Sequence, residues 1–223
     1  MSVMDYCQVG ILQKGFIRLT PKNLVGRNSR RYKIGSRIRS LCIVFSTFTE
    51  NYNMTADIQQ GTINTTITNK VATIEFSHPS GNSFPSQLLQ LLAEELNSLG
   101  DNQQVSIVVL KSKGEKIFCA GASFDELLAV SDLAEGASFF SGFANVINAM
   151  RKCPKLIVGR VQGKAVGGGV GLAAACDYVF AKEEASIKLS EFTIGIGPFV
   201  IAPAVERKIG TSGLAELTLA ADE

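Results

Sequence analysis

Three consecutive glycines, residues 167–169, constrain the fold of this chain more than any other feature. They lie between an apolar stretch, Leu156–Val161, that predicts a buried strand and an Ala-rich stretch, 170–175, that predicts a buried helix. Glycines at the start of a helix leave backbone N–H groups that no side chain shields from a ligand. Because the helix dipole is positive at the same end, the sequence predicts a place that stabilises a developing negative charge.

A second turn of small residues, Phe-Cys-Ala-Gly-Ala-Ser at 118–123, lies further upstream. It also follows an apolar stretch, residues 105–110, that predicts a strand. Two such turns, each after a strand and before a helix, can supply two N–H donors to a single oxygen atom. Donors arranged in advance around one oxygen form an oxyanion hole, and the two turns together predict one here.

Three motifs resemble those of the crotonase superfamily, the enoyl-CoA hydratase/isomerase proteins. They are residues 118–122, residues 163–177, and the sequence Ser-Glu-Phe-Thr-Ile-Gly-Ile-Gly-Pro at 190–198. All three occur in the order of the family, within a resemblance that covers about residues 62–222. The resemblance implies an α/β fold in which repeated ββα units wind into a spiral, with the C-terminal helical region truncated.

The resemblance also implies a role for particular residues in an acyl-CoA enzyme. The backbone N–H groups of Ala122 and Gly168 would hold the thioester oxygen while the α proton leaves and an enolate forms. Glu191 would be the carboxylate base, and its apolar neighbours should raise the pKa of that carboxyl toward a useful range. Five further residues are expected to contact the substrate, namely Ala120, Gly121, Gly167, Pro198 and Phe199.

Gly171 departs from the family pattern, because hydratases of the family carry a second glutamate at this position. Hydration is usually drawn with two carboxylates, whereas moving a double bond along an acyl chain can use one carboxylate as a proton shuttle. We therefore expect isomerisation, or a hydratase with an altered second base. Decarboxylation, thioester hydrolysis and a catalytically degenerate acyl-CoA-binding fragment stay open as alternatives. Gly171→Glu is expected to raise hydration if the helix tolerates the side chain.

The residues after Pro198 are a second departure. Aroyl-CoA dehalogenases resemble this chain around residues 193–197, but they place an aspartate nucleophile near the position of Phe199. A phenyl ring cannot perform that displacement, so the sequence argues against dehalogenation. The run Phe-Val-Ile at 199–201 is instead expected to narrow the acyl pocket or to exclude water.

Two other interpretations of these motifs compete with an acyl-CoA enzyme. In the simplest, the glycines only permit close packing of strands on helices, and Glu191 is an ordinary solvated residue at the end of a strand. In the other, Gly169 to Ala174 fit the G-x-G-x-x-A pattern of a dinucleotide-binding module, with Glu191 near the expected acidic position. That module needs glycines directly after a strand, and residues 163–166 intervene here.

Charge divides the chain into two parts. Residues 1–53 contain nine Lys or Arg and two acidic residues, whereas residues 54–223 contain thirteen basic and eighteen acidic ones. The first part is predicted to be a basic, disordered extension or a mitochondrial-type transit segment. The second part is predicted to be the acyl-CoA domain, incomplete at its C-terminus. The location would then be the cytoplasm, or the mitochondrial matrix if the first part is a transit segment.

Composition narrows the partners that we expect. A negatively charged body gives no reason to expect nucleic-acid binding, and no apolar run is long enough to predict a membrane span. The five cysteines lack C-x-x-C spacing and the chain has one histidine, which argues against a zinc site and a disulfide framework. We expect no metal and no separate cofactor, since coenzyme A arrives as part of the thioester. A full-length protein would form a homotrimer or a dimer of trimers.

Overall fold

The computed structural model describes residues 61–220 and, before them, the backbone of two short strands. In chain order the strands are β1 (Cys7–Gln8), β2 (Asn51–Tyr52), β3 (Thr62–Thr68), β4 (Val71–Ser77), β5 (Ile107–Ser112), β6 (Ile117–Cys119), β7 (Leu156–Val161), β8 (Lys164–Val166), β9 (Tyr178–Ala181) and β10 (Ile187–Lys188). The helices are α1 (Ser86–Asp101), α2 (Phe124–Ala129), α3 (Leu133–Lys152), α4 (Gly168–Ala175) and α5 (Ala202–Leu219), and a 3-10 turn covers Glu191–Ile194.

The strands form two sheets between which the chain alternates. One sheet has the order β1-β9-β7-β5-β4-β3-β2 and the other the order β10-β8-β6. From β5 onward, each strand of the large sheet is followed by a strand of the small sheet and then by helix. The sequence β3-β4-α1 supplies the first unit, as a hairpin in which Thr68 pairs with Val71. The predicted repetition of ββα units is confirmed.

One face of the large sheet carries the core because its strands alternate between buried and partly exposed residues. The inward residues of β4 and β5 include Ile74, Phe76, Val108 and Leu110, all of them fully buried. Helix α1 covers this face with leucines that recur at helical spacing, of which Leu88, Leu92, Leu96 and Leu99 are buried, and α3 packs against α1.

Four phenylalanines connect the core to the turns of the predicted site. The ring centroid of Phe76 lies 4.8 Å from that of Phe84 and 5.4 Å from that of Phe118. Phe84 in turn lies 6.1 Å from Phe143 of α3, in a T-shaped arrangement. Since Phe118 begins the first predicted turn, the aromatic cluster anchors that turn to β4 and α3.

The structure adds helical residues that apolar periodicity did not predict. Apolar periodicity predicts a helix over residues 139–150, but α3 begins at Leu133 because Asp132 caps it: its Oδ1 accepts from the N–H of Glu135 at 2.8 Å. Helix α2 buries no residue and so leaves no apolar pattern in the sequence. Helix α5 is a further helix that apolar periodicity did not predict, and it breaks at Gly210, whose φ is +74°.

The N-terminal boundary predicted at residue 53 stays a prediction, since most of residues 1–60 lie outside the described residues. The two strands that are described there pair with the edges of the large sheet, β1 with β9 and β2 with β3. Within the described residues, the helices lack the unbroken apolar length that a membrane span requires.

The aromatic cluster generates the first testable prediction. Phe76→Ala should lower the free energy of unfolding by about 3–5 kcal/mol, because it removes a fully buried ring and leaves a cavity. Urea denaturation measures the change. Leu133→Ala is the control, since Leu133 is 93% exposed; similar losses in the two variants would contradict the placement of Phe76 in the core.

Candidate active site

The turn at residues 118–123 is held by backbone hydrogen bonds on both sides of Ala122. Phe84 forms a parallel bridge with Ala122: the N–H of Phe84 donates to the carbonyl of Gly121 at 2.8 Å, and the N–H of Ser123 donates to the carbonyl of Phe84 at 3.0 Å. These bonds occupy the groups on either side of Ala122. Among the residues that the structure describes, none accepts a hydrogen bond from the N–H of Ala122, which is only partly buried.

The glycine turn presents a second bare N–H group, at the start of α4. Gly167 precedes the helix with a φ of +51°, and its own N–H donates to the carbonyl of Lys188 at 2.9 Å. The carbonyl of Gly167 accepts from the N–H of Val170 at 2.9 Å. Gly168 is the first residue of α4 and is partly exposed, and its N–H likewise finds no acceptor in the described part of the chain.

The two turns meet at Gly121. A Cβ on Gly121 would lie 3.0 Å from the carbonyl oxygen of Val166 and 3.4 Å from the backbone nitrogen of Gly168. Gly121 also has a φ of +96°, a conformation that favours glycine. The backbone at Gly121, directly before Ala122, therefore lies against the backbone at Val166 and Gly168. That the N–H groups of Ala122 and Gly168 form an oxyanion hole, as the resemblance implies, stays a prediction.

Glu191 lies beside the second turn. Its Oε1 is 3.1 Å from the position that a Cβ on Gly167 would take, so the carboxylate is next to the residue that precedes Gly168. Its Oε2 is buried and has no hydrogen-bond partner among the described residues. Burial raises the pKa of the Glu191 carboxyl, because the charged form loses its hydration. Glu191 is therefore not the ordinary solvated residue of the simplest interpretation.

The residues predicted to contact substrate differ in exposure. Ala120 is exposed, and its N–H donates to the carbonyl of Gly81 at 3.1 Å. Gly121 and Gly167 are buried at the junction of the two turns. Their roles toward a ligand stay predictions.

Pro198 and Phe199 are placed very differently from one another. Pro198 is buried, and its carbonyl accepts from the N–H of Ala202 at 2.8 Å, which starts α5. Phe199 is 81% exposed, and its ring lies over the Cα of Gly197. Only Phe199 of this pair offers an apolar surface to a ligand, and its predicted contact with substrate stays a prediction.

Thiol and metal chemistry find little support among the described residues. Cys119 and Cys176 are fully buried, and burial raises the pKa of each thiol to about 12, which keeps both protonated. No group of three or more His, Cys, Asp or Glu side chains within residues 61–220 is arranged to hold a metal ion.

Sequence analysis missed two buried amides, Asn82 and Gln162, that contact the first turn from behind. Both donate a hydrogen bond to the carbonyl of Ile117, which begins β6. The sequence signal for them is weak: Gln162 is a single polar residue directly after the apolar strand β7, and Asn82 lies in a loop of turn residues.

Comparison with known proteins identifies the family of the chain. The Enoyl-CoA hydratase/isomerase family model matches residues 66–223. The chain belongs to this family. It is 32% identical over 117 residues to the mitochondrial methylglutaconyl-CoA hydratase of Homo sapiens, covering 52% of this chain and 34% of that protein. It is 35% identical over 118 residues to the mitochondrial enoyl-CoA hydratase domain-containing protein 2 of Mus musculus, covering 53% of this chain and 38% of that protein.

A solved structure gives the same assignment for the fold. The crystal structure of an enoyl-CoA hydratase from Shewanella pealeana superposes with a TM-score of 0.67 at 29% identity, covering 71% of this chain and 61% of that one. This enoyl-CoA hydratase/isomerase family member thus spans less than two thirds of the length of these relatives.

The dinucleotide-binding hypothesis is the weaker one on the fold as well, because α4 follows β8 of the small sheet rather than a strand of the large one.

Gly171 has room for a side chain only if Ile201 moves. A Cβ there would overlap Cγ2 of Ile201 and lie 2.8 Å from its Cβ and 3.5 Å from Cδ1 of Ile147. Gly171→Glu is expected to raise hydration only if the helix tolerates the side chain, and here that condition requires Ile201 to shift, because the new Cβ would overlap its Cγ2. The effect on hydration stays a prediction. Helix propensity does not reveal this contact, because it does not include the packing of α4 against Ile201.

Gly171→Ala should lower the free energy of unfolding by about 1–3 kcal/mol, since it overpacks the contact between α4 and α5. Ile201→Ala removes the overlapping methyl group, so the double variant should lose less than the sum of the two single variants. Chemical denaturation of all three variants measures this coupling, and strict additivity would show that Gly171 does not face Ile201.

Glu191→Gln should make stability depend less on pH. Burial makes the folded-state pKa of Glu191 higher than its unfolded value of about 4.3, so ionisation destabilises the folded protein as pH rises through this range. Glutamine does not ionise, so the variant should be more stable than the parent at pH 8, with the gain shrinking toward pH 4. Denaturation at both pH values is compared with Glu184→Gln, the same change at an exposed position. A gain confined to pH 4 would reverse the sign and refute the burial argument.

Proposed function

We propose that this protein binds an acyl-CoA thioester and stabilises the enolate that forms when a proton leaves the carbon next to the carbonyl. The observation that carries the proposal is the pair of N–H groups of Ala122 and Gly168, which lack an acceptor among the described residues and belong to turns that touch at Gly121. The buried carboxylate of Glu191 beside them supplies the matching base. Membership in the Enoyl-CoA hydratase/isomerase family supports the choice of substrate.

The two donors would act where charge develops. The thioester oxygen becomes negative as the enolate forms, and N–H groups fixed in advance stabilise it without having to reorganise. Gly168 adds the positive end of the α4 dipole. Loss of one donor of this kind typically raises the barrier by about 2.7–4 kcal/mol.

Glu191 would take the proton. A carboxylate in water is a weak base, and the burial that raises the pKa of Glu191 makes its ionised form a stronger one. The C–H bond breaks, its electron pair forms the enolate, and the proton moves to a carboxylate oxygen of Glu191. Because Glu191 has no bonded acid to pass the proton on to among the described residues, the same carboxyl would return it.

Isomerisation is the reaction that this arrangement favours. If Glu191 takes a proton from one carbon of an enoyl chain and returns it to another, the double bond moves and no second group is required. The packing of Gly171 against Ile201 explains why α4 contributes no second carboxylate at that position. Hydration is the second candidate, favoured by the names of the relatives, which are hydratases.

Exposed apolar side chains follow Ala122 and Glu191 in the chain, and they support the choice of an acyl ligand. Phe124 and Leu128 are exposed on α2 directly after Ala122, and Phe192 is exposed directly after Glu191. Ala120, Gly121, Gly167, Pro198 and Phe199 complete the proposed contacts with substrate. The trimeric assembly and the lack of a separate cofactor stay predictions.

Isotope exchange tests the proposal on the full-length protein. The parent should exchange the α proton of a bound acyl-CoA with deuterium from the solvent, and addition of water to a 2-enoyl-CoA should be slower. Glu191→Gln should reduce exchange by about 10²–10⁴-fold while thioester affinity stays similar, because only the base is lost. NMR follows exchange, and the loss of enoyl absorbance follows hydration.

The outcomes separate the candidate reactions. Glu184→Gln controls for the chemical change and should keep the parent rate. Rapid hydration by the parent would favour the hydratase function and leave the enolate mechanism intact. Retained exchange in Glu191→Gln would reject the role of Glu191, and a parent without exchange or hydration would indicate a binding or degenerate protein.

A further inference from the structure

A cluster of buried polar side chains lies behind the first turn, outside the proposed catalytic groups. Gln162 is 1% exposed, and its Nε2 donates to Oγ of Ser112 at 2.8 Å and to the carbonyl of Ile117 at 3.1 Å. Asn82 is also buried, and its Nδ2 donates to the same carbonyl at 2.9 Å and to the carbonyl of Lys113 at 2.9 Å. The carbonyl of Ile117 thus accepts from two buried amides.

A β-bulge explains why this carbonyl needs such partners. The pairing of β6 with β8 shifts register between Ile117 and Cys119. A bulge interrupts the ladder, bends the strand and redirects the chain beyond it. The chain beyond this bulge is the turn at residues 118–123, whose far end is held by the bonds of Phe84 on either side of Ala122. The partners of the Ile117 carbonyl hold the point from which that turn departs.

The cluster lowers the stability of the folded state through one unpaired atom, and core packing alone does not explain why that atom is there. Oε1 of Gln162 is buried and has no hydrogen-bond partner among the described residues. An unpaired buried polar atom destabilises the folded state by about 1–3 kcal/mol. An apolar side chain of the same length would fill the space without that cost, so the amide is explained by the groups to which it donates.

Asn82 connects the bulge to the rest of the turn. Its φ is +57°, and its Oδ1 accepts from the N–H of His78 at 3.1 Å, which closes the loop before α1. That loop contacts the turn directly, because the carbonyl of Gly81 accepts from the N–H of Ala120. The Ile117 carbonyl and Ala120 are therefore both held by the same loop.

We propose that Gln162 and Asn82 are positioning residues. Their buried amides hold the bulge at Ile117 and thereby aim the N–H of Ala122 toward the proposed binding site that it shares with the N–H of Gly168. This inference rests on the proposed function, in which that N–H binds the thioester oxygen. Neither side chain touches the reacting atoms.

Gln162→Met tests the inference, because it keeps the length of the side chain and removes both the donor and the unpaired oxygen. We expect proton exchange from bound acyl-CoA to fall by about 10- to 100-fold with little change in KM, as misdirected donors act mainly on the transition state. The variant should be as stable as the parent or more so. The amide NMR signal of Ala122 in the free protein should shift.

Thr65→Val is the matched control. Oγ1 of Thr65 is also buried without a partner among the described residues, but Thr65 lies in β3, away from both turns. Its replacement should leave both the exchange rate and the Ala122 signal unchanged. A second variant, Asn82→Asp, keeps the acceptor for the N–H of His78 and removes both donated bonds, so it should repeat the kinetic effect of Gln162→Met.

Each result decides the inference. A folded Gln162→Met that retains the parent exchange rate and the parent Ala122 signal would overturn it. Failure of both variants to fold would assign the cluster a purely structural role, which also overturns it. If the parent turns over no thioester, the proposed function fails, and the Ala122 signal of Gln162→Met still shows whether the amides aim this group.

Discussion

The close approach of two backbone turns is the constraint on which the candidate site depends. Gly121 permits it, because any side chain there would be pressed against the carbonyl of Val166. Gly169 permits it from the other side, since a Cβ on Gly169 would overlap the carbonyl oxygen of Cys119. Glycine at these positions is therefore a requirement of distance, because only there can the turns that carry Ala122 and Gly168 touch.

Packing between α4 and α5 limits which side chain can stand at position 171, and with it the chemistry of the candidate site. Gly171 packs against Ile201 at the start of α5, so a second carboxylate at this position would require Ile201 to move. The remaining carboxylate, Glu191, is partly buried with one oxygen unpaired among the described residues. A single desolvated base is suited to moving a proton between two carbons of one ligand, and it offers no second group to orient water.

Local patterns in the sequence predicted those elements whose structure is set locally. Strand β7 lies where its apolar run predicts a strand. Alternating residues on either side of Asn69 and Lys70 form the β3–β4 hairpin, and most leucines of α1, which recur at helical spacing, are buried. Helix α2 escaped prediction because it buries nothing, and the start of α3 because a cap sets it. The meeting of Ala122 with Gly168 came from resemblance to a family. The contacts of Gln162 join residues far apart in the chain, so no local pattern contains them.

Unpaired buried polar atoms concentrate where the proposed chemistry is. Of the three such atoms in the described residues, one belongs to Glu191 and one to Gln162, with Thr65 the exception on β3. A chain selected for stability alone would replace both groups with apolar ones, because each costs hydration without a compensating bond. Their presence is explained if Glu191 needs a free oxygen to receive a proton and Gln162 gives its N–H groups to the bulge. The polar side chains that destabilise this part of the fold are then the same ones that the proposed site requires.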